Sequence, residues 1–139
     1  MNKLETLEHY FGHSSFRPLQ EEVVDAILAK QDVLMILPTG GGKSLCYQLP
    51  TLLMEGITVV VSPLLALMHD QVVALKENGI SAEMLSSMQD LEESQQIETR
   101  LRAGEIKLLY VAPERLTNAY FLNLLHQLTI NFFVIDEAH

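Results

Sequence analysis

Basic residues are scarce in this chain: nine lysines and arginines stand against eighteen aspartates and glutamates, a formal net charge of −9 over 139 residues. Proteins that grip nucleic acid by bulk electrostatics are basic, so any such contact here must come from local groups. Backbone N–H donors, helix N-termini or other parts of a larger protein are the candidates. Cysteine is nearly absent too: Cys46 alone excludes an internal disulfide and suits a reducing cytosol. The longest apolar stretch, Ile57 to Met68, is broken by Ser62 and Pro63 and is too short to span a bilayer. Met1-Asn2-Lys3-Leu4-Glu5 turns acidic at once and lacks the apolar core of a signal peptide. The expectation is a cytoplasmic protein with no membrane partner. Repeats, low-complexity tracts and linkers are also missing, so residues 1–139 read as one domain. With 48% apolar and 19% charged residues, that domain has the composition of a folded core rather than of a disordered chain.

Within it, short apolar runs alternate with helical patterns. Val33–Leu37, Thr58–Val61, Lys107–Val111 and Phe132–Ile135 read as strands, with Ala82–Leu85 as a fifth. Their near-continuous Val, Ile and Leu content is that of strands covered on both faces. Leu19–Ala29 carries Val23, Val24, Ile27 and Leu28 on one helical stripe. Leu64–Asn78 and Leu91–Ala103 are helical segments stopped by Gly79 and Gly104. Alternating strand and helix means parallel strands with right-handed crossovers, hence an open α/β sheet. Ligands of such sheets sit beyond the carboxyl ends of the strands.

Directly after the first strand comes Pro38-Thr39-Gly40-Gly41-Gly42-Lys43-Ser44, then a helical start. Three glycines let the backbone bend tightly and turn its N–H groups toward one point, a nest for phosphate oxygens. The following helix adds its positive end. In this reading Thr39, Gly40, Gly41 and Gly42 line the nucleotide, Lys43 reaches the β and γ phosphates, and the Ser44 hydroxyl coordinates Mg²⁺. The strict spacing of the phosphate loop wants glycine where this chain has Leu37, so only the looser form of the pattern is met. The bland alternative is a glycine-rich turn with an exposed lysine.

Near the other end stands Asn131-Phe132-Phe133-Val134-Ile135-Asp136-Glu137-Ala138-His139. Two carboxylates at the end of a buried apolar strand are costly unless a cation pairs with them. Mg²⁺ carried on ATP is such a cation: Asp136 would hold it through water, and Glu137 would orient and deprotonate the attacking water. An Asp-Glu pair alone often marks only where a strand reaches solvent. The upstream loop is what favours the catalytic reading.

Asp136-Glu137-Ala138-His139 is the DEAH form of a helicase motif, and five further blocks resemble RecQ helicases in order and spacing. They are Phe16-Arg17-Pro18-Leu19-Gln20, the stretch from Leu37 to Gln48, Val61-Ser62-Pro63-Leu64, Leu67-Met68-His69-Asp70-Gln71, and the stretch from Leu109 to Leu116. The resemblance covers nearly the whole chain. It implies a RecA-like domain with an open, mostly parallel sheet, incomplete at its C-terminus, from an ATP-dependent 3′→5′ DNA helicase of recombination and repair. ATP and Mg²⁺ are the implied cofactors. Single-stranded and partly duplex DNA is the implied partner, in the cytosol or nucleoid of a bacterium. Arg17 and Gln20 resemble the family's adenine-recognition residues, and His13 stands where an aromatic residue commonly stacks on the base. Ser62, Pro63 and Leu64, and Pro113, Glu114 and Arg115, resemble the two turns that touch the backbone of single-stranded DNA. Without the family, either would be an ordinary strand-to-helix turn. Pro18 likewise suits the first turn of a helix for its fixed backbone angle. The resemblance also implies a second motor domain and an arginine finger, which this stretch does not contain, so the chain alone is expected to be inactive.

Other residues read as structural. Cys46 is a packing residue behind the phosphate loop rather than a nucleophile, and Tyr47 belongs to the core before it belongs to a nucleotide pocket. Asp90, Glu92, Glu93 and Glu98 form a solvated acidic face. The methionines read as core filler, and the spacing of His9 and His126 predicts no zinc site.

Overall fold

The stop signals in the sequence set the helix ends. In the computed structural model, which describes residues 2–17, 20–29, 35–38, 44–86 and 90–137, Gly79 and Gly104 follow helices with φ of 80° and 75°. A side chain would strain that left-handed backbone, so glycine closes both helices at little cost. The described elements run α1 (Lys3–Phe11), α2 (Gln20–Leu28), β1 (Met35–Pro38), α3 (Leu45–Leu52), β2 (Ile57–Val61), α4 (Leu65–Glu77), β3 (Ala82–Leu85), α5 (Leu91–Arg102), β4 (Leu108–Val111), α6 (Ala119–His126) and β5 (Ile130–Glu137). A 3-10 turn, Pro113–Thr117, joins β4 to α6. Side-chain caps start three of the helices. Asn2, Asp90 and Asn118 accept the N–H groups of Glu5, Glu93 and Phe121 at 2.8, 2.8 and 3.0 Å, each satisfying a donor that the first turn leaves open.

The strands form one sheet in the order β1-β5-β2-β4-β3, with every described pair parallel. This is the expected open α/β architecture. The described part of the first strand begins at Met35, since residues 30–34 lie outside the described residues. The last strand is longer than its apolar run: it takes in Ile130 and Asn131 and carries Asp136 and Glu137 inside its ladder.

Alternate residues of the strands feed two cores. Val60, Ala82, Leu108, Tyr110 and Val134 pack with Ile27 of α2, Cys46 and Tyr47 of α3, and Met68, Val72 and Leu75 of α4. On the other face Val59, Val61, Leu85, Leu109 and Val111 meet Ile97 and Leu101 of α5 and Phe121, Leu124 and Leu125 of α6. A third cluster joins Leu7 of α1 to Val24, Leu45 and Leu49, seating α1 beside α3. Burying each Val, Leu, Ile, Phe or Met side chain among them contributes about 1.5–3 kcal/mol.

One expectation needs correction. β2 and β4 are covered on both faces, but β5 is not: Val134 is fully buried while Phe133 and Ile135 are 40% and 37% exposed. The second core gathers α5 and α6 over β2, β4 and β3, and neither Phe133 nor Ile135 belongs to it. At the edge strand β3, Glu83 is held between Lys76 of α4 at 2.8 Å and Arg100 of α5 at 2.6 Å. Charges there discourage another strand from pairing with that edge.

Candidate nucleotide and DNA site

A single row of paired residues crosses the sheet: Ile36, Ile135, Val61, Val111 and Leu85. Because the strands are parallel, whatever lies one or two positions further on emerges at the same end of the sheet. There Asp136 is paired with Leu37 and Glu137 with Pro38. Neighbouring strands lie about 4.8 Å apart, so the backbone of the acidic pair runs beside the strand that leads into residues 39–43. Thr39, Gly40, Gly41, Gly42 and Lys43 lie outside the described residues, as do Pro18, Leu19, Ala138 and His139. Ser44 opens α3, and its side chain makes no capping bond to that helix.

Both turns read as DNA-facing emerge at this same end, on adjacent strands. Ser62 follows β2 and is buried; its N–H continues the ladder to the Val111 carbonyl at 3.1 Å. Its hydroxyl faces the N–H of Leu64 at 3.4 Å, a long contact at the first residue before α4. Pro63 and Leu64 are exposed. Beyond β4, Pro113 and Glu114 are exposed, whereas Arg115 is half-buried and its Nη2 donates to the Ser86 carbonyl at 2.8 Å. That bond ties the turn to the end of β3, so part of the guanidinium is engaged within the fold.

Arg17 and Gln20 meet each other. The Gln20 side-chain oxygen accepts the Arg17 N–H at 2.7 Å, and the Gln20 N–H donates to the Arg17 carbonyl at 3.1 Å. Gln20 is buried while Arg17 is exposed, as is His13. The amide therefore shapes the entry to α2, whatever it offers a base.

A strand leading into the glycine-rich stretch, an adjacent strand ending in Asp136-Glu137 and two turns with exposed residues thus share one end of a parallel sheet. The model of the DEAD/DEAH box helicase family matches residues 17–139. The chain belongs to this family. Similar proteins include ATP-dependent DNA helicase RecQ of Haemophilus influenzae, 49% identical over 98% of this chain, and that of Pasteurella multocida, 50% identical over the same share. RecQ of Bacillus subtilis is 46% identical over 96%. The chain spans 22% of the length of the first two and 23% of the third. A crystal structure of the DUF1998 helicase MrfA bound to DNA and AMPPNP superposes with a TM-score of 0.76, over 99% of this chain and 21% of that one. At 19% identity, that likeness speaks for the fold.

Behind this end of the sheet lies a polar chain that sequence reading did not foresee. Gln48 Nε2 donates to the Tyr110 hydroxyl at 3.0 Å, the Tyr110 and Tyr47 hydroxyls lie 3.1 Å apart, and the Tyr47 hydroxyl donates to Gln71 Oε1 at 3.0 Å. Tyr47 is a core residue, as expected, but one with a polar tip. The available signal was that three of the family blocks each contribute polar groups: Tyr47 and Gln48, Gln71, and Tyr110. Cys46 is buried in the same core, and desolvation pushes its thiol above the ordinary range. A neutral, enclosed thiol is a packing group, not a nucleophile.

Proposed function

We propose that this chain is the ATP-binding part of an ATP-dependent DNA helicase motor of 3′→5′ polarity, acting in DNA recombination and repair in the cytoplasm. The observation that carries the reading is the shared row: the phosphate-loop strand, the Asp136–Glu137 strand and both exposed turns leave the sheet at one end. ATP would be cradled by residues 39–43, with Lys43 toward its phosphates and Arg17 and Gln20 toward adenine. Ser44 and Asp136 are hard oxygen donors of the kind Mg²⁺ takes, and a Ser44 hydroxyl that does not cap its own helix fits that use. Mg²⁺ would neutralise charge on the phosphates. Glu137 would orient the attacking water and take its proton. Ser62, Pro63 and Leu64 would meet the DNA backbone beside Pro113, Glu114 and Arg115, through backbone N–H groups rather than a basic surface.

A second reading has its own support. The charge of −9, the exposed Glu114 and the partly engaged Arg115 favour a chain that by itself binds nucleotide and does not hold DNA. The two separate in one assay: ATP hydrolysis with and without single-stranded DNA, on this chain and on a version extended through a second motor domain. Turnover confined to the extended form and raised by DNA supports the helicase motor. Turnover in the extended form that ignores DNA refutes it.

A further inference from the structure

We propose that Tyr110 is a positioning residue that couples the nucleotide end of the site to its two DNA-facing turns; the inference rests on the function proposed above. Proton bookkeeping gives the polar chain a direction. The Tyr47 proton is committed to Gln71 Oε1, so at the 3.1 Å contact between the two hydroxyls Tyr110 is the donor. Tyr110 in turn accepts from Gln48 Nε2. Along these three bonds the order is Gln48 to Tyr110 to Tyr47 to Gln71.

Each member sits on an element that leads to or from the site. Tyr47 and Gln48 are three and four residues past Ser44, in the first turn of α3. Gln71 lies in the second turn of α4, the helix entered through Ser62, Pro63 and Leu64. Tyr110 is three residues before Pro113, on the strand that delivers the other turn. Both tyrosines are fully buried and Gln48 nearly so. Water cannot easily replace a broken link there, and hydrogen bonds weaken steeply as they stretch or bend. A shift of α3 on nucleotide binding would therefore carry the end of β4 with it or strand the buried tyrosine hydroxyls, and would pull on α4 through the half-buried Gln71. Coupling of this kind is a claim about energies between sites, and needs a measurement of coupling.

Thr51 supplies the control. Its hydroxyl also joins α3 to the sheet, at 2.7 Å from that of Thr58 and equally buried, but at the opposite end from the site. The test is the affinity for a fluorescent Mg·ATP analogue with and without a single-stranded oligodeoxynucleotide, for the wild type, Tyr110→Phe, Gln71→Met and Thr51→Val. Circular dichroism checks that each is folded. The wild-type affinities should differ roughly fivefold or more. That ratio should collapse toward one in Tyr110→Phe and in Gln71→Met, whose half-buried site tolerates the change should the first variant not fold. Thr51→Val should lose stability and keep the ratio. A wild-type ratio retained in Tyr110→Phe and Gln71→Met overturns the coupling alone. So does a ratio lost equally in Thr51→Val, or a ratio of one in a wild type that binds both ligands. A wild type that binds the nucleotide but not the oligodeoxynucleotide overturns the coupling, and one that binds neither ligand overturns the proposed function as well.

Discussion

At the amino end of the sheet, polar side chains lock one element to the next, whereas at the carboxyl end the described turns are largely exposed, with Arg115 bonded to the Ser86 carbonyl as their tie to the fold. Asn131 Oδ1 accepts the Gly56 N–H at 3.1 Å, Lys107 donates to the Met54 carbonyl at 2.6 Å, and the Ser81 hydroxyl donates to the Glu105 carbonyl. Thr51 and Thr58 close the same end from within. At the other end Pro63, Leu64, Pro113 and Glu114 are exposed. The difference teaches that stability and chemistry are separated along the strands. A ligand at the open end leaves the locks untouched, and a broken lock weakens the fold before it alters the site.

That separation can be broken most visibly at the open end. Lys43→Ala should lower ATP turnover, in an extended active form, by about 100-fold or more, with a thermal midpoint close to the wild type's. Wild-type turnover in that variant would remove the phosphate-loop assignment. The locked end gives the opposite pattern. A Cβ on Gly56 would lie 2.5 Å from the Thr129 carbonyl oxygen and 2.6 Å from Asn131 Oδ1. Gly56→Ala should therefore cost about 1–3 kcal/mol in urea unfolding and leave nucleotide affinity of the folded fraction unchanged. Gln20→Ala should act on both properties. Losing the bond to Arg17 should cost about 1 kcal/mol, and binding competition should show a weaker preference for adenine over guanine nucleotides. An unchanged preference would take Gln20 out of the nucleotide site. The smallest effect is expected at the uncovered face of β5: Phe133→Ser should change stability by under about 1 kcal/mol and reduce self-association in sedimentation. A large loss of stability there would mean that Phe133 is packed after all.

Sequence alone reached the five described strands, four of them as short runs rich in Val, Ile and Leu between turn signals and Ala82–Leu85 on a weaker pattern. It reached the family because motif order survives without coordinates. Five features escaped it for physical reasons. In α6, Ala119–His126, nearly every residue is apolar, so no helical period separates buried Phe121, Leu124 and Leu125 from exposed Tyr120 and Leu122; the Asn118 cap was the usable signal. In α1, Leu7 is buried but Leu4 is exposed, so the stripe is weak, although Asn2 with Glu5 three residues on marks the start. The reach of β5 through Glu137 comes from its ladder with β1 and not from residue preference, since Asp and Glu are poor strand formers. Coverage of β5 is likewise a matter of where α5 and α6 lie. An unbroken apolar run from Phe132 to Ile135 reads the same whether one face is covered or two. The tyrosine pair leaves no local trace, because its bond joins residues 63 positions apart, and only the polar groups within three family blocks pointed to it.

The most direct test of the separation is amide hydrogen exchange on this chain with and without Mg·ATP. Slowed exchange should appear in residues 39–48, 62–66, 112–116 and 136–139, and exchange in residues 54–58 and 105–109 should be unaltered. Protection centred on the amino-end locks, or spread evenly along the strands, would contradict the account.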